Sequence, residues 1–184
     1  FEVEMAPLLG MLMGCAVVRS LREIDNLNVS LKWPNDVMVD GKKVAGILSE
    51  LVIVDEDQVR VVCGIGINID TDPFPDLMPD SQEATSILTQ SGTKTDVREL
   101  LLSVMRHIDE FLHLVENDQS YSPIVAEYRS MLATLGQDVN VKTHEGTLRG
   151  EAKSIEEDGS LIVVDSSGQR HRIEMGDVHH LRPE

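Results

Sequence analysis

The feature that most constrains this chain is the dipeptide Asp40-Gly41, set between two runs of β-favouring residues, Val37 to Val39 and Lys43 to Leu48. Asp-Gly supplies the positive φ angles of a two-residue type I′ turn, so the two runs form a tight antiparallel hairpin. The turn fixes the register, predicting Val39 opposite Lys42, Met38 opposite Lys43 and Asp36 opposite Ala45. Because side chains alternate between faces, Asp36 and Lys43 then project from the same face as a diagonal pair, with Cβ atoms about 7–8 Å apart. Ala45 and Gly46 make the floor beside them low. A substrate carboxyl, a phosphate or a water fits between two such charges. The alternative is mundane: a lysine beside a turn is commonly a solvated charge guarding a strand edge, as expected for Lys42.

The rest of the chain supports a globular α+β protein. Its 184 residues suffice for one sizeable core and a smaller unit. Met5 to Val18 is nearly all apolar and reads as a buried helix with Pro7 in its first turn, too short to span a bilayer. Gly10 and Gly14 let it lie close to a neighbour. Val29 to Trp33, Gly46 to Val54 and Gln58 to Ile67 read as further strands of an antiparallel meander, with Trp33 as packing behind the hairpin. Asp96 followed by Glu99 is a capping box for a long helix whose stripe Val97, Leu101, Val104, Met105, Ile108, Phe111, Leu112 and Val115 is expected in the core. A second helix is predicted from Ser122-Pro123 to Gly136. Beyond it, five short β-like runs between Val139 and Leu181, broken by tight turns, indicate a small barrel.

Sixteen basic residues against 32 acidic ones leave a net charge of −16, which disfavours binding to nucleic acid, where affinity comes from cations on phosphates. Cys15 and Cys63 have no metal or redox spacing and read as reduced, buried thiols of a cytoplasmic protein. His107, His113, His179 and His180 lack the company of a zinc site and are assigned surface or capping roles. No metal ligand stands out. Gly64-Ile65-Gly66-Ile67-Asn68 has two glycines of a dinucleotide fingerprint, but Ile69 replaces the third and no helix follows. Asp70 to Glu83, acidic and proline-rich, is read as a loop, of which Asp70 to Asp80 is expected to be mobile without ligand.

Taken together, Lys32-Trp33-Pro34-Asn35-Asp36, the hairpin, Lys43-Val44-Ala45-Gly46-Ile47-Leu48-Ser49-Glu50, Gly64 to Ile69 and Ala84-Thr85-Ser86-Ile87 resemble the second half of the catalytic domain of the biotin protein ligases. The tail resembles that family's SH3-like C-terminal domain. The resemblance implies a partial class II synthetase-like core over residues 1–135, with a mixed, largely antiparallel sheet and packed helices, and an SH3-like β-barrel over 136–184. It implies activation of biotin by ATP to biotinyl-5′-adenylate, with Mg²⁺ accompanying the nucleotide, and transfer to a lysine of a biotin carboxyl carrier domain. Lys43 and Asp36 become catalytic candidates. Asn35, Lys43, Ala45, Gly46, Ile47, Gly64, Gly66 and Asn68 become biotin- or adenylate-binding candidates, and 70–83 takes the place of the loop that closes over the adenylate. A homodimer is compatible with the resemblance; a membrane or nucleic-acid partner is not expected. The family's Gly- and Arg-rich loop, which closes over biotin and ATP, has no counterpart string here, so the chain is expected to be a ligase fragment with poor turnover alone. Lipoate or octanoate ligases and transferases, which share the fold, and a catalytically incomplete binding module remain the alternatives.

Overall fold

The computed structural model describes residues 6–55, 58–71, 84–144 and 146–181. The opening apolar run forms α1 (Ala6–Leu21), buried on most of its circumference, as a helix without a polar face must be. It lies on one face of a sheet built from β1 (Val29–Lys32), β2 (Asp36–Val39), β3 (Lys42–Asp55) and β4 (Gln58–Ile67), antiparallel and in the order β1-β2-β3-β4. Small residues set the spacing: a Cβ on Gly14 would lie 3.2 Å from Leu31 Cδ2.

The hairpin forms around Asp40 (φ 47°) and Gly41 (φ 76°), pairing Val39 with Lys42 and Met38 with Lys43 as the turn chemistry dictates. Above that point the register differs from the expectation. A bulge between Val37 and Met38 accommodates Val44, so Asp36 lies opposite Gly46 and Ala45 opposite Val37. Val44 and Ala45 are both buried, and two successive apolar residues that can both face the core are what allows the extra residue.

Beyond the first sheet the chain enters α2 (Ile87–Ser91), α3 (Val97–Asp118) and α4 (Ser122–Met131). Asp96 caps α3, accepting from Arg98 N at 2.8 Å and Glu99 N at 3.3 Å. Of the expected core stripe, Val104 and Phe111 are buried, whereas Val97, Leu101 and Met105 are more than half exposed. At 22 residues α3 outruns the part of α1 that covers it, and periodicity does not say where cover ends. His107 also departs from its surface assignment: it is buried at the α1–α3 contact, 2.9 Å from Glu23 Oε1 through Nε2 and 2.9 Å from Glu110 Oε2 through Nδ1. α4 stops at Met131, short of Gly136, because Leu132 turns extended, bridges to Leu31, and Ala133 N donates to Leu31 O at 2.8 Å.

The second sheet is antiparallel, in the order β8-β7-β6-β5-β9, from β5 (Asp138–Thr143), β6 (Gly146–Ile155), β7 (Leu161–Val164), β8 (Arg170–Ile173) and β9 (Asp177–His180). The expected barrel is not closed among the described residues, since β8 and β9 do not pair. The sheet is tied to the first: Trp33 Nε1 donates to Gly159 O at 3.0 Å, Trp33 N to Thr134 Oγ1 at 3.0 Å, and Arg129 Nη2 to Ile155 O at 2.8 Å. Trp33 therefore does more than fill the core; its indole N–H is a strut between sheets.

Candidate functional site

The site is built at the entrance to β2. Pro34 follows a cis peptide, and its carbonyl accepts from Tyr128 Oη of α4 at 2.9 Å. Burial, reinforced by the Cys15 and Asp36 charges, raises the Tyr128 phenol far above its usual range, so it remains the donor this bond needs. Asn35 is locked to β3 from both sides: Ile47 N donates to Asn35 O at 2.9 Å, and Asn35 Nδ2 donates to Ile47 O at 2.8 Å. With its two neighbours fixed, Asp36 has little freedom.

Asp36 and Lys43 do share a face, and they touch: Lys43 Nζ forms an ion pair with Asp36 Oδ1. That oxygen is buried and takes no hydrogen bond from any other described residue. Lys43 remains about half exposed, so one end of the pair is anchored while the other is open to solvent. The open end is the lysine, which can reach solvent and change partners while Asp36 stays fixed. The bulge gives Lys43 its path. Opposite Asp36 stands Gly46, where a Cβ would meet Lys43 Cε and Nζ at 3.3 Å and Asp36 Oδ1 at 3.8 Å, so the lysine lies across the glycine.

Gly46 pairs with Gly66, and Leu48 with Gly64. A Cβ on Gly66 would meet nothing within 4 Å, and one on Gly64 only the Leu48 carbonyl at 4.0 Å. The three glycines form a bare strip of backbone beside the ion pair, as expected where a ligand approaches a sheet closely. Leu48, 58% exposed, borders that strip. Nothing in the sequence separates it from its apolar neighbours; only its parity with Gly46, once the bulge is known, turns it outward.

The remaining candidates fall elsewhere. Ala45 and Ile47 point to the opposite face and are buried against α1, so only their backbone is available to a ligand. Asn68 is a fastener: Asn68 N donates to Val44 O at 2.8 Å, its Nδ2 to Thr85 O at 3.0 Å, and its carbonyl accepts from Ile87 N at 2.9 Å. It fixes the way out of β4 at the end of the glycine strip. The expected closing loop falls almost wholly outside the described residues. Cys15 is no nucleophile, because burial, aided by Glu127, pushes its thiol up to about 12. No group of three or more metal-ligating side chains stands among the described residues.

An adjoining cleft of about 280 Å³ opens between the sheets, lined by Pro7, Met11, Trp33, Asn35, Leu48 and Met175 among others, so that Asn35 and Leu48 border both. Asp36, Lys43, Gly46 and Gly66 do not line it.

Comparison with known proteins places the chain in a family. The model of the biotin/lipoate A/B protein ligase family matches residues 1–68, and that of the biotin protein ligase C-terminal domain matches 134–181. The bifunctional ligase/repressor BirA of Bacillus subtilis is 32% identical over 173 residues, covering 90% of this chain and 51% of its own. The biotin–[acetyl-CoA-carboxylase] ligase of Mycobacterium tuberculosis is also 32% identical over 173 residues, covering 92% of this chain and 60% of its own. The chain thus spans about half the length of the curated relatives it matches. Among solved structures, the apo biotin protein ligase of Aquifex aeolicus superposes with a TM-score of 0.80 at 30% identity, over 98% of this chain and 77% of that one. Its complex with biotin and ATP gives a TM-score of 0.78, at 30% identity over 96% and 72% of the two chains. Family models, relatives and solved structures converge, and the chain belongs to the biotin protein ligase family.

Proposed function

We propose that this chain carries the acid–base and cationic half of a biotin-activating centre, within an enzyme that makes biotinyl-5′-adenylate and passes biotin to a lysine of a carboxylase carrier domain. The observation that carries this reading is the Lys43–Asp36 ion pair laid over Gly46, beside the open strip of Gly64 and Gly66. In the first step a carboxylate oxygen of biotin attacks the α-phosphorus of ATP and pyrophosphate leaves. A cation that can turn from Asp36 to the reacting oxygens stabilises the negative charge that develops there, and Lys43 is that cation. In the second step the carrier amine attacks the acyl carbon of the mixed anhydride and AMP leaves. Asp36, released from Lys43, accepts a proton from the incoming ammonium and orients the amine, with Asn35 holding the turn that presents it.

The glycine strip allows the adenylate to lie flat on backbone, and Leu48 offers an apolar edge to its non-polar part. Bound with ATP, Mg²⁺ would neutralise charge on the phosphates; no group of three or more metal-ligating side chains stands among the described residues. The N-terminal and C-terminal units divide near residue 135, and their shared struts through Trp33 and Arg129 keep the second sheet beside the active face. No described helix is long and apolar enough to cross a membrane, and a cytoplasmic setting suits an enzyme that uses ATP and a carrier protein.

The test is single-turnover formation of biotinyl-adenylate from biotin and ATP, followed separately from transfer to a purified carrier domain. A biotin-dependent burst of pyrophosphate supports the reading. Adenylation of lipoate in preference to biotin replaces it with the lipoate branch of the family.

A further inference from the structure

The segment that carries Asp36 is held by the end of α4 and the residues after it. Ala133 N donates to Leu31 O at 2.8 Å, Trp33 N donates to Thr134 Oγ1 at 3.0 Å, and Tyr128 Oη donates to Pro34 O at 2.9 Å. These contacts follow the chain from β1 into the turn, and the last of them stands just before Asn35 and Asp36. The Tyr128 ring is buried beside α1, where a Cβ on Gly14 would lie 4.0 Å from Tyr128 Cε2. Its phenol oxygen is its one polar atom, and the proton on it goes to Pro34. The Asp36 carboxyl has a weaker hold of its own. Its Oδ1 is buried and takes no hydrogen bond from another described residue, so at rest the Lys43 ammonium steadies it. In the adenylating reading above, on which this inference rests, Lys43 turns away toward the reacting oxygens. From then on the carboxylate keeps its place through the backbone that bears it, held at Asp36 by the ladder partners Lys32 and Gly46 and at the turn by Tyr128.

We propose that Tyr128 is a positioning residue for the transfer step: by anchoring Pro34 it keeps the Asp36 carboxylate directed at the incoming carrier amine once Lys43 has left it. A lysine side chain has an ordinary pKa of about 10.4 and arrives as an ammonium. Asp36 accepts one of its protons, the freed nitrogen bonds to the acyl carbon of biotinyl-adenylate, and the acyl–phosphate C–O bond breaks as AMP leaves with the electron pair. The proton can pass only if the carboxylate stands within hydrogen-bond reach of the ammonium, about 2.6–3.2 Å, and a misplacement of about 1 Å is costly. The first step makes no such demand on Asp36, because the group that acts there is Lys43. A defect in the anchor should therefore appear in one step and not in the other.

The experiment is single-turnover kinetics of Tyr128→Phe in the full-length protein, with adenylate formation followed separately from transfer of supplied biotinyl-adenylate to saturating carrier domain. Phenylalanine keeps the ring and removes only the donor, and rates counted per folded molecule keep a loss of stability from imitating a loss of rate. Transfer to the carrier lysine should slow about tenfold, part of the roughly hundredfold or more that a general base supplies, while adenylate formation should stay close to the wild-type rate. Hydroxylamine, a weakly basic nucleophile already unprotonated at neutral pH, needs no base, so its trapping of the adenylate as the hydroxamate should also be unchanged. In an Asp36→Asn background no base remains to be positioned, and Tyr128→Phe should slow transfer no further. A purely structural tyrosine predicts both steps and the hydroxylamine reaction slowed alike, or the same slowing of transfer with Asp36→Asn as without it. Either result overturns the proposal, as does transfer at the wild-type rate in Tyr128→Phe. If the wild type forms no biotinyl-adenylate, the ligase reading fails and this proposal with it. If the wild type completes both steps and Tyr128→Phe matches it in each, the ligase reading stands and this proposal alone fails.

Discussion

The two faces of the β3–β4 hairpin are made by alternate residues of the same strands, yet they have opposite character. The inner face, Ala45, Ile47 and their partners Ile67 and Ile65, packs against α1, and Ala45 and Ile47 are almost wholly buried. The outer face, Gly46, Leu48, Gly64 and Gly66 with the Lys43–Asp36 pair at its end, is bare backbone, an exposed leucine and charge. On one side, side chains fill space and hold the fold; on the other, their absence leaves room for a ligand. Substitutions on the two faces should therefore separate stability from activity, and the comparison can be broken wherever they do not.

The largest expected effect is on the outer face. Lys43→Ala should slow biotinyl-adenylate formation by about a hundredfold or more, the usual scale for losing one group that stabilises developing charge. Its melting temperature should fall by only a few degrees: the lysine is half exposed, but its loss leaves the buried Asp36 Oδ1 without its ion-pair partner. Lys42→Ala, at the exposed end of the turn, should be close to neutral in both measurements. Equal loss in the two lysine variants would remove the electrostatic role assigned to Lys43.

On the inner face the signature reverses. Ile47→Ala deletes buried methyl groups against α1 and should cost about 2–5 kcal/mol of stability by chemical denaturation. The rate of adenylate formation per folded molecule should change little. If activity fell in Ile47→Ala while stability held, the side chain would have to reach the ligand, contrary to the face it occupies.

A smaller effect tests the glycine strip. Gly66→Ala adds a methyl where nothing stands within 4 Å, so stability should hold, whereas affinity for the adenylate should fall as the methyl lifts it off the backbone. Gly46→Ala should act differently, because its methyl would meet Lys43 Cε and Nζ at 3.3 Å and displace the lysine from Asp36. The ratio of the two steps distinguishes them: Gly66→Ala weakens binding, and Gly46→Ala should also slow the first chemical step.

How much of this was legible in the sequence follows from where each constraint resides. Asp40-Gly41 is a local rule, and both residues adopt the positive φ it demands. The pairing of Asp36 with Lys43 was also legible, because it depends on parity counted from the turn. The bulge at Val44 was not, since adjacent apolar residues satisfy either of two registers and only the cover above them decides. It moved Gly46, not Ala45, opposite Asp36 and turned Leu48 toward the site. His107 could not be placed because its partner Glu23 lies 84 residues away on another element. Leu101 and Met105 keep perfect helical spacing and still face outward, because spacing describes one helix and burial requires a second. Closure of the small β unit is likewise a question of how its ends meet, which the count of strands leaves open.

The smallest expected effect lies behind the inner face, in the contact that holds α1 to α3. Glu23 accepts from Ser103 Oγ at 2.6 Å, from Arg106 Nη2 at 2.7 Å, and lies 2.9 Å from His107 Nε2. Those hydrogen bonds, led by Ser103, lower its pKa from 4.5 to about 2. A carboxylate held below its unfolded value stabilises the fold fully above pH 4.5, and this contribution is lost as pH falls toward 2, where the unfolded chain has already taken up its proton. Glu23 is partly exposed, so salt and solvent screen the effect and it should be modest. Acid titration of the melting temperature should show a steeper decline between pH 4.5 and 2 in the wild type than in Glu23→Gln, with the curves converging at the acid end. Biotin affinity near neutral pH should be the same in both proteins. A Glu23→Gln variant that kept its stability but lost ligand affinity would show that α3 communicates with the glycine face, and the division between scaffold side and ligand side would have to be redrawn.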